Sequence, residues 1–192
     1  ISYLRESYPI KFIGMEPAVK PAALGTKSGV IGVLATAGTL KGSKYLKTKG
    51  QFEEDVKIVE HVGQGFVELV EQGKLTGEEA EATVEKSLRP LLDEGADTIV
   101  LGCTHYPFLK QTIQKIAGPA VGVIDPAGAV ARHLIYVMVQ ERLLSEKDAT
   151  TALIRLVEPD SIEKTSKRPD IELCSSGDPE PLRRTFNLIY PE

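Results

Sequence analysis

The 192-residue chain has only two cysteines, Cys103 and Cys174, far apart in sequence. That scarcity excludes a disulfide framework and leaves no cysteine or histidine spacing that reads as a metal site. A reducing cytoplasm is the expected setting. No apolar run approaches the roughly 20 residues of a membrane helix. No charged-then-apolar leader resembles a secretory signal. An excess of charge of one sign is missing too: the net charge is −4, with acids and bases interspersed, so nothing predicts binding to nucleic acid. There is no phosphate-cradling glycine loop, no internal repeat and no low-complexity segment. What is present is an ordinary globular composition, 42% hydrophobic, in a chain long enough for one large or two small domains with a real core.

The most informative stretch is residues 97–110, where an apolar run ends abruptly at Cys103, Thr104 and His105 and then meets Pro107. Thr98 to Leu101 is short and rich in β-branched residues, the pattern of a strand buried on both faces of a parallel sheet. Proline is favoured at the first position of a helix, so Pro107 predicts a helix starting just past His105. Cys103 then lies near a helix N-terminus, whose unpaired N–H groups favour a thiolate. In open α/β sheets ligands bind beyond the carboxyl ends of the strands, where these three residues are expected.

Around that stretch the chain alternates strand and helix signals. Ile1–Tyr8 reads as a helix end and Ile10–Gly14 as a short strand. Pro17 and Pro21 stiffen a connector. Strands are predicted at Val30–Ala35, Val56–Val59 and Val121–Ile124, with a short helix over Gly65–Gln72. Thr76 and Glu79 have the spacing of a capping box. Behind them Ala80, Val84, Leu88 and Leu91 form a helical apolar stripe closed by Gly95. Asp125 and Pro126 are read as cap and first position of a helix buried through Val130, Leu134, Val137 and Met138. Ala152–Val157 looks like a strand, residues 158–170 like a surface loop or hairpin, and Ile171–Ser175 like its partner strand. A C-terminal helix follows Asp178-Pro179. Repeated strand–helix–strand order predicts an α/β fold with a parallel sheet and right-handed crossovers. Thr36 and Thr39 can serve simply as helix caps. The lysines at 41, 44, 47 and 49 read as a solvated face. His61 and His133 lack ligand-spaced partners and read as ordinary residues.

Leu101-Gly102-Cys103-Thr104-His105-Tyr106-Pro107 resembles the second catalytic cysteine motif of glutamate racemases. Gly14-Met15-Glu16-Pro17-Ala18-Val19-Lys20-Pro21-Ala22, Ile31 to Thr39, and Ser175-Ser176-Gly177-Asp178-Pro179 match the same family in the same order. The resemblance implies a two-lobe, parallel-sheet fold of the Asp/Glu racemase type. It divides the chain into a complete α/β lobe at residues 21–125, and residues 1–20 plus 126–192 as the remainder of a truncated first lobe.

The implied activity is cofactor-independent interconversion of L- and D-glutamate, supplying D-glutamate for peptidoglycan. Two thiols act on opposite faces of the α-carbon, and Cys103 is one of them. By the same resemblance His105 tunes or protonates beside Cys103, and Thr104 with His105, Thr36 and Thr39 contacts substrate. Glu71 corresponds to a glutamate near the active site. No metal or cofactor is implied. Glutamate is the expected partner, without nucleic acid or membrane, and a homodimer is the assembly to consider. The chain opens at Ile1, and the family's Asp-Ser-Gly turn and its first catalytic cysteine, in a Cys-Asn-Thr motif, are absent. The expectation is a fragment that is inactive alone. Cys174 sits in the context of the family's non-catalytic C-terminal strand. The alternatives are a related cofactor-free racemase, an arylmalonate-type decarboxylase acting on another amino acid or a malonate, or an inactive binding lobe.

Overall fold

The computed structural model describes residues 1–157 and 172–189. In chain order the elements are α1 (Ser2–Ser7), α2 (Val19–Gly25), β1 (Val30–Ala35), α3 (Ala37–Leu40), α4 (Ser43–Lys49), β2 (Lys57–Val62), α5 (Phe66–Glu71) and α6 (Glu78–Asp93). Then come β3 (Thr98–Gly102), a 3₁₀ turn (Tyr106–Leu109), α7 (Lys110–Ala117), β4 (Gly122–Ile124), α8 (Ala127–Gln140), α9 (Glu146–Val157) and α10 (Glu180–Ile189). The described residues form two compact units, one of 1–15 with 126–157 and one of 16–125 with 172–189.

The second unit is an α/β layer built on a four-stranded sheet of order β2-β1-β3-β4. All pairings are parallel, with Ala35 opposite both Val62 and Gly102. β1 and β3 are the central strands, and their near-continuous apolar sequences are buried on both faces, whereas the edge strand β2 is only half-buried. The period of two splits their side chains between the layers. Leu34, Ile99 and Leu101 meet α5, α6 and α7 through Phe66, Leu69, Val84, Leu88, Leu91 and Ile113. Ile31, Val33, Ala35 and Val100 meet α2 and α4 through Val19, Ala22 and Tyr45. Gly32 belongs to the first face, where a Cβ would stand 2.7 Å from Ile99 Cδ1 and 2.9 Å from Leu91 Cδ1. The missing side chain is what lets α6 lie close to the sheet.

One carboxylate fastens the amino end of the sheet. Asp97, just ahead of β3, accepts hydrogen bonds from Thr26 Oγ1 at 2.6 Å, Lys27 N at 2.6 Å, Ser28 N at 2.7 Å and Thr98 Oγ1 at 3.0 Å. Partial burial pushes its carboxyl upward, but these donors outweigh burial and hold it down at about 2 against an ordinary 3.8. A depressed folded-state value stabilises the fold above the ordinary carboxylate range, and that stability is lost as pH falls toward about 2. Asp97→Asn is therefore expected to cost about 1–3 kcal/mol at pH 6. Its urea midpoint should also fall less than that of the parent between pH 5 and pH 2.5. Parallel acid limbs in the two proteins would show that Asp97 is not the fastening.

Several expected elements differ. Ala152–Val157 is the end of helix α9, not a strand. The helix is started by Ser145, whose Oγ accepts from Asp148 N at 3.2 Å, and Thr150 and Thr151 bond back to carbonyls four residues earlier. Ile10–Gly14 is irregular rather than a strand, and so are residues 172–175. The hairpin expected over 158–170 lies outside the described residues. No capping box forms at Thr76: Gly77, at φ 91°, is the N-cap of α6, and Glu78, Glu79 and Glu81 complement the helix dipole instead. Helix α8 has Pro126 as its N-cap and no buried residue, with Leu134 44% exposed. Its unit contains no strand among the described residues. Residues 16–20 and α10 fall with the sheet unit, whose boundary after β4 is at Asp125. Arg184 on α10 donates to the Gln72 carbonyl at 3.4 Å, which links it to the end of α5.

Candidate active site

The strand order turns at the middle of the sheet. The chain passes from β1 to β2 on one side, then crosses to β3 on the other. The carboxyl ends of β1 and β3 therefore diverge into loops on opposite layers, leaving a crevice of the kind in which α/β proteins bind ligands. Thr36 follows Ala35 at one lip and Cys103 follows Gly102 at the other. A Cβ at Gly102 would lie 2.7 Å from the Ala35 Cβ and 3.2 Å from Pro17 Cγ, so glycine is what allows the two strand ends and the Pro17 connector to come together.

Cys103 is a free, half-buried thiol. The next residues close a single 3₁₀ turn, with Tyr106 N donating to the Cys103 carbonyl and Phe108 N to the His105 carbonyl, both at 3.2 Å. The α-helix expected directly after His105 starts only at Lys110. Pro107 sits in the first positions of the 3₁₀ turn instead. This tight turn folds His105 back on the thiol, with Nδ1 4.0 Å from Cys103 Sγ. The other ring nitrogen, Nε2, lies 3.7 Å from Glu71 Oε1 at the end of α5. With its proton on Nε2 facing the carboxylate, the imidazole presents Nδ1 as an acceptor to the thiol proton. The side chains of His105 and Glu71 are 36% and 57% exposed, so water screens the pair and its contribution to stability is small.

The predicted substrate-contacting residues are placed differently from one another. Thr104 is exposed beside Cys103. Thr36 caps α3, its Oγ1 accepting from Thr39 N at 3.3 Å, and the two hydroxyl oxygens are 3.0 Å apart. Both threonines thus stand at the β1 lip while bonded to each other. Cys174 is exposed in the irregular stretch before α10.

Two residues that sequence reasoning passed over complete the setting. Tyr106 is buried and donates its hydroxyl to the Gly63 carbonyl at 3.2 Å. Its ring lies against Phe66, with centroids 4.9 Å apart. Burial first, and then the adjacent Cys103, push the phenol up to about 12. The signal was a tyrosine directly after the histidine, together with a Gly63-Gln64-Gly65 turn ahead of α5. Among the described residues no group of three or more His, Cys, Asp or Glu is placed to hold a metal ion, and no helix is long and apolar enough to cross a membrane.

The profile of the family described as Asp/Glu/Hydantoin racemase matches residues 1–134. A glutamate racemase of Herpetosiphon aurantiacus is 42% identical over 93% of this chain and 63% of its own length. One of Stutzerimonas stutzeri is 38% identical over 100% of this chain and 66% of its own. The chain thus spans just under two thirds of the length of these curated relatives. Among solved structures, the Escherichia coli glutamate racemase in complex with L-glutamate and the activator UDP-MurNAc-Ala superposes with a TM-score of 0.65 at 31% identity, covering 72% of this chain and 53% of that one. The RacE1 isoform from Bacillus anthracis superposes with a TM-score of 0.64 at 32% identity, covering 76% and 55%.

Proposed function

Because the chain belongs to the Asp/Glu/Hydantoin racemase family, we propose that the protein racemises glutamate without a cofactor and that Cys103 is one of its two thiol bases. The observation that carries this reading is the Cys103, His105, Glu71 relay beside the crevice at the turn of the sheet, with Sγ 4.0 Å from Nδ1. The named activity of relatives at 38–42% identity supports the substrate.

His105 accepts the thiol proton, leaving a thiolate as the base. The thiolate sulfur then takes the α-proton of the amino acid, the C–H electron pair stays on carbon, and the carboxylate spreads the charge. A second thiol on the opposite face returns a proton to that carbon, which inverts the centre. Thr104, with its exposed hydroxyl and backbone N–H, is suited to the substrate carboxylate, and Thr36 and Thr39 offer hydroxyls from the other lip. Glu71 holds the His105 tautomer. Cys174 takes no part in this scheme. D-Glutamate made this way serves peptidoglycan synthesis in the cytoplasm, and a homodimer is the assembly proposed.

The test is circular dichroism of L- and D-glutamate incubated separately with the whole protein in the presence of a chelator and without added cofactor. Convergence of both to zero ellipticity is expected, with aspartate and hydantoins unchanged. An active protein that is silent on glutamate but turns over one of those compounds would replace the substrate assignment.

A further inference from the structure

We infer that Tyr106 is a positioning residue whose hydroxyl, anchored on the Gly63 carbonyl, sets the separation of His105 and Glu71; the catalytic sense of this rests on the racemase reading.

The argument is one of closure. His105 and Tyr106 are consecutive in a single tight turn, so the place of one determines that of the other. Tyr106 grips the start of α5 through its ring on Phe66, and the loop just ahead of it through its hydroxyl on Gly63. From Phe66, α5 rises only about 1.5 Å per residue, which makes it a short strut ending at Glu71. Glu71 then faces back to His105, closing a loop of contacts around the site. No slack exists at the grip, since a Cβ on Gly63 would stand 2.7 Å from Tyr106 Cζ and Oη.

The hydroxyl is not explained by packing. A phenylalanine would fill the same buried space without the cost of burying a polar group. Nor does the Gly63 carbonyl depend on it, because Phe66 N already donates there at 3.3 Å. Burial, and then the neighbouring Cys103, favour the neutral, proton-donating form of the hydroxyl. What remains for it is geometry: it holds the strut in register with the turn.

The experiment uses the whole protein. Tyr106→Phe keeps the ring and removes only the hydroxyl. The kcat for glutamate is expected to fall about 10-fold with KM within about twofold, because misplacing a catalytic group weakens the transition state more than binding. Tyr106→Phe combined with Glu71→Gln should be no slower than Glu71→Gln alone, since both act along one path. Phe66→Leu loosens the same grip and is expected to show the same non-additivity. The rate of iodoacetamide alkylation at the Cys103 peptide gives a readout independent of turnover. An about threefold change in Tyr106→Phe is expected there, absent in the Glu71→Gln background. A wild-type kcat and alkylation rate, or losses fully additive with Glu71→Gln, would overturn the proposal. If the parent protein does not racemise glutamate but the alkylation pattern holds, the racemase reading fails while the positioning by Tyr106 stands.

Discussion

Cys103→Ser is expected to reduce glutamate racemisation by about three orders of magnitude or more, the upper part of what positioned acid–base groups contribute. Serine preserves the size and place of the side chain at the end of β3, so folding should be untouched and the loss should fall on chemistry. A hydroxyl beside His105 cannot reach the anionic form near neutral pH, and proton removal from that face stops. Polarimetry of parent and variant at equal concentration, with matched melting curves, makes the comparison. A variant within tenfold of the parent would remove Cys103 from the mechanism.

The largest effect on stability is expected at Leu91. It is fully buried on α6 and lies over Gly32 at the centre of the sheet. Leu91→Ala removes the contacts of a packed isobutyl group and leaves a cavity, a loss of about 2–5 kcal/mol. Against a typical total of about 5–15 kcal/mol this is a large share. Gly32→Ala should be destabilising by itself, by about 1–3 kcal/mol, because the new methyl meets Leu91 and Ile99. In the Leu91→Ala background part of that clash is gone, so the double variant should lose less than the sum. Urea unfolding of the four proteins gives the coupling, and strict additivity would mean that α6 and β1 do not share this contact.

What could be read in the sequence follows from how local the cause is. β1 and β3 were legible because central strands of a parallel sheet are near-continuous apolar runs. Helix α6 was legible because Ala80, Val84, Leu88 and Leu91 repeat at helical spacing. Cys103, Thr104 and His105 stood out because the apolar run stops at them, and they directly follow β3. Ala152–Val157 misled because a short β-branched apolar run has no periodicity that separates strand from helix. The stripe on α8 was real as a pattern, but a pattern does not say what covers it. The grip of Tyr106 on Gly63 joins residues 43 positions apart, and no spacing rule predicts such a contact. Glu71 likewise came from family resemblance, since nothing local brings the last turn of α5 to a histidine.

The most direct test of the two-thiol account is hydrogen exchange by the whole Cys103→Ser protein in D₂O, with L- and D-glutamate supplied separately and the α-proton followed by NMR. With one thiol removed, the remaining base can still act on its own face. One enantiomer is therefore expected to exchange its α-proton slowly without inverting, while the other keeps it. Exchange of both enantiomers at similar rates, or inversion at the parent's rate, would contradict the claim that Cys103 is the base on one face.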